Sequence, residues 1–123
     1  MTIALWCVLA AAFLPYPFTL AAKWSRRFSN RAPRVYLESL AGWQQRAHWT
    51  QLNSFEAFPP FAAAVLVNHL LLGANSTADA VALAFIGLRV AYGLFYIADL
   101  ALPRSIVWFA ASLCSVSLFV LAA

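Results

Sequence analysis

Four stretches of this chain are each long enough and apolar enough to cross a bilayer, and that constrains the fold more than any motif. Thr2–Ala22 carries no charge, and Ala47–Leu72 carries only Glu56. Ala78–Ala98 has Asp79 at its edge and Arg89 inside, and Arg104–Ala123 is charged only at its first residue. A helix needs ~20 apolar residues to span the hydrocarbon core. The competing reading is a soluble helical bundle. Composition argues against it, because 64% of residues are hydrophobic and 10% charged, whereas soluble domains are roughly half apolar and a quarter charged. No basic side chain opens the first span, so it is expected to be a retained helix rather than a cleaved signal. The expectation is an all-α integral membrane protein, with one four-helix transmembrane domain over residues 1–123.

The charges suggest an orientation. Lys23, Arg26, Arg27, Arg31, Arg34 and Arg46 all fall between the first and second spans, and Arg104 falls between the third and fourth. The link 73–77 and both termini hold no Lys or Arg. The positive-inside rule then puts both basic connections in the cytoplasm and both termini on the other side. A basic run also suits nucleic acid, but contact with anionic membrane lipid is the simpler account, so no nucleic-acid partner is expected. Cys7 and Cys114 lie inside apolar spans without motif spacing. They read as packing residues, and no metal site is expected.

Local signals refine the picture. Pro15 and Pro17 remove two backbone donors and predict a kink near the inner end of the first span. The first connection is long enough for a short interfacial helix, with Tyr36, Leu37, Leu40 and Trp43 facing lipid. Trp24, Trp43 and Trp49 suit an aromatic belt at the inner surface. Asn75-Ser76-Thr77 matches the glycosylation acceptor pattern on the outer side, a short pattern close to the membrane. Pro103 suits the start of the fourth span.

Two polar stripes carry the chemistry. Arg46, Asn53 and Glu56 share one helical face, with Trp49 between them, and Arg89, Tyr92, Tyr96 and Asp99 share another. Both stripes fall in the inner half of the bilayer, where Arg104 enters the fourth span. The bland account is mutual satisfaction, with Glu56 paired to Arg89 and Asn53 bonded across helices, at about 0.6–2 kcal/mol per contact. Against it, the arginines outnumber the glutamate, and intramembrane charge is expensive enough to point to function. Surplus positive charge calls for an anion. Arginine forks suit carboxylates, the glutamate suits an ammonium, and tyrosine hydroxyls suit peptide carbonyls or a thiol. A small peptide with two carboxylates, an amine and a thiol fits; so does a phosphate or a lipid head group.

In RAHWTQLNSFEAFPPFAAAVL, RVAYGLFYIADLALPRS and FLPYPFTLAAK the chain resembles the MAPEG family, the membrane-associated proteins in eicosanoid and glutathione metabolism, and particularly its small bacterial members. The resemblance extends over nearly the whole chain and in the same order. It implies a left-handed four-helix bundle assembled as a homotrimer, with glutathione as co-substrate held between neighbouring subunits and open to the cytoplasm. It implies that Arg46, Asn53, Glu56, Arg89, Tyr92 and Tyr96 contact glutathione. It further implies that Arg104, with Ser105 beside it, stabilises the thiolate that attacks an apolar substrate. The chain departs from the pattern at Trp49, where catalytic members usually carry a second arginine. A glutathione transferase or peroxidase is one expectation; a non-catalytic lipid-binding or scaffold member is the other.

Overall fold

The computed structural model describes all 123 residues, and every regular element in it is a helix. The elements are α1 (Ile3–Phe13), α2 (Pro15–Ala22), α3 (Pro33–Glu38), α4 (Gly42–Leu72), α5 (Ser76–Ile97) and α6 (Ala101–Ala122). α1 and α2 together form one 20-residue span, so four helical segments are long and apolar enough to cross a membrane. They pack as an antiparallel bundle, with α4 and α5 at its centre.

The expected kink lies at Leu14. It separates α1 from α2, yet its own N–H still reaches Ala10 O at 2.9 Å, so the chain bends without unravelling. Pro15 begins α2, where a missing N–H costs least. Thr19 Oγ1 bonds the Pro15 carbonyl at 3.0 Å and occupies an acceptor in the bent turn. α4 runs unbroken through Pro59 and Pro60 and begins five residues earlier than the apolar block suggested.

The short helix in the first connection exists, but it does not offer the expected face to lipid. Leu37 is buried against Ala22 and Ala47, with Tyr36 and Leu40 packed around them. Ala22 and Ala47 are too small to fill the gap where α2 passes α4, and Leu37 fills it. Trp43 belongs to the first turn of α4 and stays exposed, as does Trp24.

Small residues set how closely the helices approach. Ala4, Cys7, Ala11, Ala64, Ala78, Ala82 and Ala111 belong to the main core, whose centre is Phe61 stacked on Phe85 at 3.8 Å. Close backbone approach through small side chains is how membrane helices gain packing energy when lipid is as apolar as the core. Gly93 is the tightest case, because a Cβ there would overlap the ring of Phe18.

Side-chain bonds lock the outer end. Asp79 Oδ1 accepts from Ala4 N at 2.7 Å and ties α1 to α5. Asn68 donates to Leu118 O at 2.9 Å and accepts from Asn75 Nδ2 at 3.0 Å, while Asn75 Oδ1 accepts from Ala78 N at 2.8 Å. Asn75, the residue of the acceptor pattern, is thus the N-cap of α5 and a bridge to α4. Cys7 and Cys114 are both free thiols.

Candidate functional site

The inner end of the bundle is organised by the turn between α5 and α6. α5 ends with Asp99 in the left-handed region at φ 62°. Leu100 N reaches back to Phe95 O at 2.9 Å, and Asp99 N reaches Tyr96 O at 3.1 Å. This is the reversal that usually recruits a glycine; aspartate is among the few other residues that tolerate it. Arg46 supports the same turn from α4, its Nε donating to Ile97 O at 3.1 Å. The tight reversal returns Arg104, in the first turns of α6, to the side of Tyr96.

The guanidinium carbon of Arg104 lies 4.3 Å from the Tyr96 ring centroid, and no carboxylate of the chain pairs with that guanidinium. Tyr96 stands edge-on to Tyr92 at 5.6 Å, and Arg89 sits 4.3 Å over the Tyr92 ring. Trp49 tilts against the other side of Tyr96 at 6.1 Å. The second polar stripe is therefore a ladder of alternating cations and rings, with Trp49 at its side. Neither tyrosine hydroxyl has a hydrogen-bond partner within the chain, and each retains access to a cavity.

Arg89 is 2% exposed. Its Nη2 donates to Asn53 Oδ1 at 2.9 Å and reaches Ser54 Oγ at 3.5 Å. Asn53 Nδ2 in turn donates to Glu56 Oε2 at 3.1 Å. The expected direct Glu56–Arg89 pair is therefore replaced by a relay through Asn53. The reason is reach: Asn53 and Glu56 are one turn apart on α4, so the short amide faces α5 while the carboxylate projects to the open side. Glu56 remains exposed.

Two adjoining cavities flank the ladder. One, of about 350 Å³, is lined by Trp49, Leu52, Asn53, Glu56, Tyr92 and Tyr96. The other, of about 240 Å³, is lined by Tyr92, Tyr96, Arg104, Ser105 and Trp108. They share the two tyrosines. Of the sequence-derived candidates, Asn53, Glu56, Tyr92, Tyr96, Arg104 and Ser105 line these spaces. Arg89 stands behind Tyr92 and Asn53, and Arg46 lines neither. The Ser105 hydroxyl is engaged with Ala101 O at 3.0 Å. No three His, Cys, Asp or Glu side chains converge on a common point. Two contributors escaped the sequence reading. Ser54 was hidden beside the more conspicuous Asn53. Trp108 stands one turn after Arg104, a spacing that could have revealed it.

Four apolar spans around a buried, partly unpaired arginine cluster define a multi-pass membrane protein with a polar intramembrane site. A family model for the MAPEG family matches residues 3–123, and the chain belongs to that family. It is thus a membrane protein of the glutathione transferase and eicosanoid group. No curated protein and no solved structure matches the chain.

Proposed function

We propose that this protein is a membrane-bound glutathione transferase, joining the glutathione thiolate to an apolar electrophile at the cytoplasmic side of the bilayer. The observation that carries the reading is Arg104: a cation without a carboxylate partner, seated on Tyr96 at the wall of a cavity. A free thiol has a pKa near ~8.5, and a neighbouring arginine favours the thiolate. The thiol proton leaves to water, the sulfur attacks the electrophilic carbon, and the leaving group departs with its bonding electrons. Glu56 has a carboxylate free to meet the peptide's ammonium, and the tyrosine hydroxyls are free to bond its carbonyls or sulfur. A peroxidase reaction would draw on the same thiolate. Reaction then gains from holding both partners at one place.

In this reading the protein is a homotrimer with both termini on the non-cytoplasmic side. The cavity beside Trp49 is walled by α4 and α5 alone. A neighbouring subunit would close it and bring further groups to the peptide's carboxylates. Arg46 has two guanidinium nitrogens beyond the one engaged with Ile97.

One observation favours a second reading. Trp49, which packs on Tyr96, occupies the mouth of that cavity and cannot bind a carboxylate. A non-catalytic member that holds a lipid head group or only locks its trimer would tolerate it. Steady-state turnover with a chlorodinitrobenzene electrophile and glutathione separates the two. Turnover that saturates with glutathione supports the transferase, and a rate equal to the protein-free control supports the scaffold.

A further inference from the structure

α6 contains four serines, and one of them behaves unlike the others. Ser105, Ser112 and Ser117 each return their hydroxyl to a carbonyl of their own helix, at 3.0, 3.0 and 2.8 Å. That is the usual solution for serine in an apolar helix. Ser115 does not adopt it. Its side chain is 7% exposed, and its hydroxyl has no hydrogen-bond partner in the chain. A buried hydroxyl without a partner is costly in an apolar setting, so its surroundings matter.

Ser115 lines a third cavity of about 310 Å³ between α4, α5 and α6. Its walls are mainly apolar, with Phe85, Trp108, Ala111, Val116 and Phe119 prominent among them. One end reaches Asn53, Glu56 and Arg89, the relay behind the ladder. The cavity is formed within one chain and is the most enclosed of the three. Ser115 lies eleven residues beyond Arg104, or ~16 Å along the helix, so the cavity opens at the depth of the hydrocarbon core. The prolines at 59 and 60 leave the Glu56 carbonyl without its usual donors three and four residues on, which adds an acceptor to the same stretch of α4.

We propose that this cavity is a binding site for a small uncharged apolar molecule bearing one carbonyl or hydroxyl group, which bonds to Ser115. The walls exclude a charged ligand from the Ser115 end, and the volume, near the lower limit for small-molecule sites, excludes a full phospholipid. Such a molecule reaches the site by partitioning into the bilayer. Bound there, it lies with one end toward Asn53 and Glu56, which also line the proposed peptide cavity. Its role as the electrophile rests on the transferase reading; its binding does not.

The test uses the protein in lipid nanodiscs, without glutathione, and acetyl-dimethylaminonaphthalene as the probe. The emission of this naphthyl ketone shifts to the red when a hydroxyl donates to its carbonyl. Saturable binding is expected, with loss of ~3- to 10-fold in affinity for Ser115→Ala, the worth of one neutral hydrogen bond. The bound emission should also shift to the blue in that variant. Ser117→Ala, whose hydroxyl bonds within the helix, should bind as wild type does. Val116→Trp, at a half-exposed position of the wall, should reduce binding by narrowing the cavity. Wild-type affinity and unshifted emission in Ser115→Ala overturn the proposal, as does the absence of saturable binding to the wild-type protein. Because no thiol is present, failure here leaves the transferase reading standing, and success does not presuppose it.

Discussion

Arg89 Nη2 donates to Asn53 Oδ1 across 2.9 Å, joining α5 to α4 at a point where the arginine is 2% exposed. Asn53 passes the contact on to Glu56. An arginine within a membrane bundle is held by such contacts or not tolerated. The amide is the middle link, so its loss separates both neighbours at once.

Asn53→Leu is therefore expected to destabilise the protein by ~1–3 kcal/mol, the cost of orphaning a buried donor. The double variant Asn53→Leu/Arg89→Met removes donor and acceptor together and should be less destabilised than the single variant. Unfolding in mixed micelles reads both, and equal losses would indicate that the pair is not coupled.

Gly93 faces Phe18 so closely that a methyl group must displace the ring. Phe18 is 8% exposed and has little room to move. Gly93→Ala is expected to cost ~1–3 kcal/mol through overpacking. Phe18→Leu in the same background should recover part of that loss. Thermal unfolding of the three variants checks the relationship.

Trp49 is 42% exposed beside Tyr96, so its replacement by a charged side chain should leave the core intact. Trp49→Arg adds a planar fork suited to a carboxylate at the mouth of the cavity. Glutathione affinity is expected to rise by ~10-fold or more, as a charge-assisted bond of ~1.5–3 kcal/mol implies. Isothermal titration measures it. Unchanged affinity would remove this cavity from the proposed peptide site.

Much of this arrangement was legible in the sequence. The four spans followed from the length and apolarity of their blocks. The two stripes followed from helical spacing, because a residue's face is set by its position along the helix. What could not be read was which group within a stripe reaches across. The stripes placed Glu56 and Arg89 on facing helices, but side-chain length gave the contact to Asn53. The fate of Leu37 was likewise hidden, since its burial depends on the gap left by Ala22 and Ala47 on two other helices. The left-handed turn at Asp99 left no glycine signal, and the Asn68–Asn75 bridge required knowing that the outer ends of α4 and α5 meet.

The assembly has its own consequence. A site closed by a neighbouring subunit requires trimers under the conditions in which the protein turns over. Native mass spectrometry from detergent is expected to show three chains together. A monomer that conjugates glutathione at the wild-type rate would contradict the composite site.

The central claim is that Arg104 holds a thiolate. Adding glutathione to the purified protein at neutral pH should raise the ultraviolet absorbance of the thiolate. In the wild-type protein this rise should titrate at a lower pH than free glutathione does. Arg104→Ala should move the titration upward by about one pH unit, the size of effect a neighbouring arginine has on a thiol, with only a modest loss of affinity. An identical titration in the wild type and Arg104→Ala, or no thiolate signal in the wild type, would contradict the account.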